Sequence, residues 1–128
     1  MELSSDSAPG EIDLVLFEVG GRTFGADVAD VSRVAHLEPG LARVERLGLP
    51  RKGRRALVVR GGASDCQVPI DRLVGFRRVN TQVLRSLPAW ARGLTEPSVV
   101  GFLIEEQELL ILIDLETLVV EARAGIEH

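Results

Sequence analysis

The chain has 128 residues, of which 15 are basic and 19 are acidic, and its formal net charge is −4. Hydrophobic residues make up 45% of the chain, which excludes disorder for most of it because burying them offsets the loss of chain entropy. The longest apolar runs are 99–104 and 109–113, which excludes a transmembrane helix because such a helix needs about 20 apolar residues.

The N-terminal part of the chain predicts a β-hairpin that follows a flexible tail. Residues 1–11 are polar, have little to bury and carry no secretion signal, so we expect a flexible tail in a soluble, cytoplasmic protein. A first strand is predicted from Ile12 to Val19 and a second from Arg22 to Val28. Gly20 and Gly21 separate them, and the central positions of a tight hairpin favour glycine because they need positive φ.

The segment at 28–34 fits two kinds of secondary structure, and the residues that follow it are typical of loops. Val28, Val31 and Val34 fit either one face of a helix or a short turn that feeds a bent strand. Loop signals at 38–40 and 49–53 then flank a thin, charged segment.

A second hairpin is predicted in the middle of the chain. Its strands are Arg55–Arg60 and Cys66–Ile70, and the turn is at 61–65. Pro69 has no N–H to donate to a neighbouring strand, so the returning strand is expected at a sheet edge or with a bulge.

The C-terminal part of the chain predicts one further strand, a helical turn, a second hairpin-like pair of strands and a helix. The predicted segments, in chain order, are a strand at Leu73–Val79, a helical turn at 82–92 broken by Pro88, strands at Val99–Ile104 and Glu108–Ile113, and a helix at 115–121. Asp114 is expected to cap that helix because its carboxylate can accept the free N–H groups of the first turn. The whole pattern predicts a mainly β protein, either a barrel or a sandwich.

The residues that could carry chemistry are few. His36 and His128 are the only histidines and Cys66 is the only cysteine, which leaves too little for a nucleophile–base pair, a disulfide or a zinc site. Trp90 is expected as a core anchor or, if exposed, as part of an interface. The sequence therefore predicts no enzyme, no metal and no cofactor.

Basic residues are concentrated in one segment. Seven of them lie between Arg43 and Arg60, against Glu45 alone. Such a cluster can bind nucleic acid, but it lacks aromatic residues that would stack on bases, and the whole chain is acidic. A solvated loop is the favoured interpretation, and no nucleic-acid partner is predicted.

Several segments, in their order along the chain, resemble the CheW family of bacterial chemotaxis adaptors. The segments that carry the resemblance are Phe17–Val28, Val31–Val34, Val68–Gly75, Leu87-Pro88, Val100–Phe102 and Leu109–Leu118. The resemblance covers about residues 12–120, with tails at 1–11 and 121–128. It implies a pair of small SH3-like β-barrels, a short C-terminal helix and a hydrophobic groove between the barrels.

The resemblance also implies partners and contact residues. The implied partners are the cytoplasmic domain of a chemoreceptor (a methyl-accepting protein) and, as a further candidate, the regulatory domain of a CheA-like histidine kinase, with no membrane insertion. The expected partner-binding residues are Val31, Arg33, Val34 and Leu73. For the three apolar residues, a plain core position is at least as well supported.

The chain departs from the family pattern in two places. Nothing between Leu37 and Arg55 matches the Asn-Leu-Arg-Gly hairpin of the family, so the first barrel is expected to be incomplete. The unpaired strand edges that remain would favour a homodimer or the addition of a partner strand. Arg33 stands where the family commonly has a glutamate, so the charge at that position is reversed.

Two other classes of function remain as alternatives to the adaptor. One is a nucleic-acid-binding protein that uses the basic loop, and its affinity for DNA would fall steeply with salt. The other is a small hydrolase, or a small regulatory or ligand-binding β-barrel, which would need a polar pocket that the sequence does not reveal.

Overall fold

The protein is mainly β, as the sequence predicts. A computed structural model describes residues 10–51, 54–61, 64–87 and 97–126. In that part of the chain the strands are β1 Glu11–Val19, β2 Arg22–Asp27, β3 Val31–His36, β4 Ala42–Arg43, β5 Arg55–Gly61, β6 Ser64–Ile70, β7 Arg72–Asn80, β8 Arg85–Ser86, β9 Val99–Glu105 and β10 Glu108–Ile113, and the helix α1 is Leu115–Ile126.

The described strands form two sheets. The larger has six strands in the order β7-β1-β2-β10-β9-β8, and the smaller has four in the order β3-β5-β6-β4. The neighbours in the larger sheet are antiparallel, except that β10 lies parallel to β2. The C-terminal hairpin β9–β10 is therefore attached to the N-terminal hairpin β1–β2.

Strand β1 is buried on both faces and separates two hydrophobic cores. Val15, Phe17 and Val19 lie in the first core, between the two sheets and α1. Leu14 and Leu16 point to the opposite face, into the second core on the inner side of the six-stranded sheet. This arrangement follows from the period of two in a strand, which sends successive side chains to opposite faces.

The two glycines form the predicted turn between β1 and β2. Gly20 and Gly21 have φ of 59° and 87°, which side chains with a Cβ adopt only at a cost. The turn is fixed from the β6–β7 junction, because the Gly20 N–H donates to Asp71 Oδ2 at 2.7 Å. The backbone N–H of Asp71 also donates to the Glu18 carbonyl at 2.8 Å.

The ambiguous valine segment adopts the second of its two alternatives. Val28–Asp30 is a single turn of 3₁₀ helix, and the bent strand β3 follows directly. The turn is capped by Asp27, whose Oδ1 accepts from the Ala29 N–H at 2.9 Å. A strand wins over a longer helix because β3 pairs with β5 along its length, with a bulge between Val31 and Arg33.

The second predicted hairpin is also present, as β5 and β6. Pro69 is buried in β6 and lies two positions beyond the contact with β4, which pairs only with Cys66 and Gln67. The missing N–H of Pro69 therefore falls where β6 has no β4 neighbour, as its chemistry requires.

The C-terminal hairpin and helix begin as predicted. Glu106 and Gln107 form the turn between β9 and β10 with φ of 50° and 69°. Asp114 caps α1, since the Thr117 N–H donates to Asp114 Oδ1 at 3.2 Å. The helix ends at Ile126, past the boundary at 121 that the sequence predicts.

The predicted helical turn at 82–92 differs from the structure. Thr81–Val83 is a short 3₁₀ turn, and β8 follows it at Arg85–Ser86. Pro88, Trp90 and His128 lie outside the described residues. None of the helices in the described ranges is long and apolar enough to span a bilayer.

Candidate functional site

An apolar groove lies on the first-core side of β2, β10 and β9. Its volume is about 610 Å³, and its apolar lining includes Phe24, Leu47, Phe102, Leu109 and Ile111. Ile111 pairs with Phe24 on one side and with Phe102 on the other, so these three side chains share one face of the sheet. We call this surface the apolar groove.

Strand β10 is apolar on both faces, and one of them is covered only at its Ile113 end. Leu110 and Leu112 are buried in the second core, whereas Leu109 is 58% exposed. Its cross-strand partner Ile104 is 64% exposed. An exposed apolar strip of this kind marks a site for another macromolecule more often than an isolated surface leucine does.

The opposite wall of the apolar groove is the segment that follows β4. Arg46 and Leu47 line the groove from this wall. The segment is attached to β6, because the Val44 N–H donates to the Gln67 carbonyl at 2.9 Å and the Val44 side chain is buried in the first core. The groove therefore has one wall from each sheet.

The side chain of Gln67 fixes the loop that leads into this wall. It is fully buried, and its Nε2 donates to the carbonyls of Glu38 and Leu41 at 2.7 and 2.9 Å. Its Oε1 accepts from the Glu38 N–H at 3.0 Å. A buried amide that makes these three bonds has its polar atoms satisfied, so it stabilises the loop rather than destabilising the core.

A second cavity, of about 690 Å³, opens at the end of the six-stranded sheet. Its charged lining residues are Glu18, Arg22, Arg72, Arg77 and Glu108. Arg72 Nε lies 2.8 Å from Glu18 Oε2, and this hydrogen bond holds the pKa of Glu18 below its ordinary value. We call this the charged cavity.

The residues that the sequence proposed for partner contact lie elsewhere. Val31 and Val34 are 2% and 7% exposed, within the first core, and Leu73 packs against the same core. Arg33 is half-exposed, and its Nη2 lies 3.1 Å from Glu38 Oε1. None of the four belongs to the described lining of the apolar groove, and their contact with a partner stays a prediction.

The edges of the four-stranded sheet bear on the expected incomplete barrel, which stays a prediction. β3 is at one edge of this sheet and the two-residue β4 is at the other. The absence of a hairpin relative to other family members, and a homodimer through this edge, stay predictions. Light scattering of the purified chain tests the second of them.

The described residues offer little for catalysis. Cys66 is buried, while His36 is exposed on β3. Within the ranges that the structure describes, no three His, Cys, Asp or Glu side chains are grouped so that they could hold a metal ion. The arrangement instead provides shaped apolar surface with arginines at its rim.

The family resemblance implies a hydrophobic groove, but sequence reasoning named none of the residues that line the apolar groove. The signal was present in β10, where apolar residues occupy both faces of a short strand that begins after an acidic turn. A strand of that pattern is buried on both faces or keeps one face for a partner. The sequence alone does not tell Leu109, which is exposed, from Leu110, which is buried.

Comparisons with known proteins find a curated relative of the chain and a solved structure with a similar fold. No family model matches it. It is 31% identical over 104 residues to the Frizzy aggregation protein FrzB of Myxococcus xanthus, a match that covers 81% of this chain and 91% of that protein. The crystal structure of the scaffolding protein TtCheW from Thermoanaerobacter tengcongensis superposes with a TM-score of 0.65 at 14% identity, over 87% of this chain and 89% of that one.

Proposed function

The chain belongs to the CheW-like family of chemotaxis adaptors, and from that premise we propose that it is a non-enzymatic adaptor of a bacterial chemosensory pathway. It acts in the cytoplasm and binds the cytoplasmic tip of a chemoreceptor. The apolar groove is the proposed docking site, and the regulatory domain of a CheA-like histidine kinase is the second partner to test.

The exposed apolar strip in the groove is the observation that carries this proposal. Leu109 and Ile111 present an apolar floor, and Leu47 forms the facing wall. A groove with an apolar floor and walls fits the apolar face of an amphipathic helix. Burying the exposed part of Leu109 against such a helix would supply a favourable free energy of about 1 to 2 kcal/mol.

The arginines at the rim fit the same function. Arg22 and Arg46 line the groove beside its apolar residues. Polar residues around an apolar centre set the choice of partner and the association rate more than they set the affinity. Arg33, which is on the other sheet and outside the groove lining, is proposed as a separate partner contact that distinguishes this chain from family members with a glutamate there.

A pull-down with two baits tests the proposal. The cytoplasmic fragment of a chemoreceptor and the regulatory domain of the kinase, both from the same organism, are immobilised separately and incubated with the purified chain. We expect the receptor fragment to retain the wild-type chain and to retain less of Leu109→Ser. Leu49→Ser is the matched control, because Leu49 is also exposed but does not line the groove.

The outcomes distinguish the parts of the proposal. Retention by the receptor fragment alone supports a receptor adaptor that does not contact the kinase, and retention by both baits supports an adaptor that couples them. Failure of both baits to retain the wild-type chain contradicts the proposed function.

A further inference from the structure

The apolar groove and the charged cavity are continuous. Arg22, Leu109 and Ile111 line both of them. Arg22 is the first residue of β2, directly after the Gly20-Gly21 turn, so its exposed side chain lies at the boundary between the two spaces. A partner segment that fills the apolar groove therefore reaches the charged cavity by passing Arg22.

Positive charge predominates at this boundary, although the whole chain has a net charge of −4. The charged cavity has three arginines against two glutamates, and one of these glutamates, Glu18, is already bonded to Arg72. Arg46 adds a further guanidinium from the groove wall. Arg51 approaches the same turn, because its Nη2 would lie 3.0 Å from a Cβ built on Gly21.

Arg22 differs from Arg72 in one respect that bears on binding. The Arg22 guanidinium has no hydrogen-bond or ion-pair partner in the described part of the chain, whereas the Arg72 guanidinium forms an ion pair with Glu18. A guanidinium presents donors in a planar fork that matches the two oxygens of a carboxylate. Arg22 can therefore form such a pair without first breaking an internal one.

We infer that the segment bound in the apolar groove is acidic at one end, and that Arg22 receives a carboxylate of that segment at the entrance to the charged cavity. The inference rests on the proposed function and adds the chemistry of the partner: an amphipathic protein helix with Asp or Glu next to its apolar face. A nucleic acid fits this place less well, because its phosphates would leave the apolar floor uncovered.

Titration calorimetry with the cytoplasmic receptor fragment tests the inference on four forms of the chain. These are the wild type, Arg22→Gln, Arg22→Glu and the control Arg54→Glu, which reverses an exposed charge outside both cavities. We expect Arg22→Glu to weaken binding by about tenfold or more, because an attractive contact becomes a repulsive one. Arg22→Gln is expected to weaken it less, and Arg54→Glu to leave it nearly unchanged.

Salt dependence provides a second measurement. Raising the salt from 50 to 300 mM should weaken binding of the wild type more than binding of Arg22→Gln, because the screened contact is absent in the variant. The melting temperature of each variant shows whether it is folded, and little change is expected because Arg22 is exposed.

Each outcome bears on a separate claim. If the wild type binds the fragment and neither Arg22 variant changes its affinity or salt dependence, the inference is wrong and the proposed function stands. If the wild type does not bind, the proposed function fails and the inference fails with it. The inference is also overturned if duplex DNA binds the wild type and the Arg22 variants lower the affinity for DNA as much as they lower the affinity for the receptor fragment. The partner would then be a nucleic acid.

Discussion

Gln67 binds the main chain of Glu38 twice. Its Oε1 accepts from the Glu38 N–H at 3.0 Å and its Nε2 donates to the Glu38 carbonyl at 2.7 Å. The buried side-chain amide of Gln67 in β6 thus supplies hydrogen-bond partners for the main chain of the loop between β3 and β4. The wall of the apolar groove begins a few residues later, with Arg46 and Leu47, so the shape of the groove depends on this contact.

Replacing Gln67 by leucine should therefore destabilise the protein and weaken partner binding together. Gln67→Leu keeps the size of the side chain but leaves the loop carbonyls of Glu38 and Leu41 without their donor. We expect the free energy of unfolding to fall by about 1 to 3 kcal/mol, measured by urea denaturation. Gln82→Leu, on an exposed glutamine, is the control, and an equal midpoint for both variants would contradict the role given to Gln67.

Local turn and cap chemistry made much of this fold predictable from the sequence. Gly20-Gly21 and Asp114 act within a few residues of their own positions, so the first hairpin and the start of α1 follow from residue type alone. The pairing of β10 with β2 joins distant parts of the chain, and no local signal specifies it. The apolar groove depends on that pairing, which is why its lining residues could not be named from the sequence.

The predicted contact residues show the same limit. The family resemblance implies Val31 and Val34 as contacts, whereas their spacing fits a core strand equally well, and both are buried. Arg33 lies between them and is half-exposed, because the β3 bulge between Val31 and Arg33 changes the alternation of side chains. A bulge is set by the paired strand, so single-sequence periodicity does not reveal it.

Arg33 should affect partner choice and leave stability nearly unchanged. Its bond to Glu38 is at the surface, where an ion pair contributes about 0 to 1 kcal/mol. Arg33→Glu is expected to change the affinity for the receptor fragment while the melting temperature stays nearly constant. The double variant Arg33→Glu, Glu38→Arg restores the pair with reversed polarity, so a stability loss that it repairs would assign Arg33 a structural role instead.

Gly101 should be intolerant of a side chain. A Cβ added to Gly101 would collide with the carbonyl oxygen of Arg85, where β8 pairs antiparallel with β9. We expect Gly101→Ala to displace β8 and to destabilise the protein by about 1 to 3 kcal/mol, as overpacking commonly does. Ser86→Ala alters an exposed residue of the same strand and should have little effect. If the two variants were equally stable, the Arg85 carbonyl would not lie as close to Gly101 as the structure places it.

Asp30 makes the stability of the protein depend on pH. Burial, and then the nearby carboxylates of Asp27, Asp114 and Glu116, raise the pKa of Asp30 above the ordinary 3.8. Because the folded state binds this proton more tightly than the unfolded state, ionising Asp30 destabilises the fold as the pH rises through the raised pKa. This contribution is favourable below that range and is lost above it.

Asp30→Asn should therefore raise the melting temperature at pH 7, by about 1 to 4 °C. The difference from the wild type should vanish at acidic pH, where Asp30 is protonated in both states. Glu45→Gln removes the same charge from an exposed position and controls for net charge. A stabilisation by Asp30→Asn that persists unchanged at low pH would contradict the electrostatic explanation.

Hydrogen–deuterium exchange of the wild-type chain, with and without a saturating chemoreceptor cytoplasmic fragment, tests the central claim most directly. The proposal predicts slower exchange on binding in the peptides that carry β9, β10 and the 44–47 wall, since these form the apolar groove. Unchanged exchange in all three segments, while other parts of the chain become protected, would contradict it.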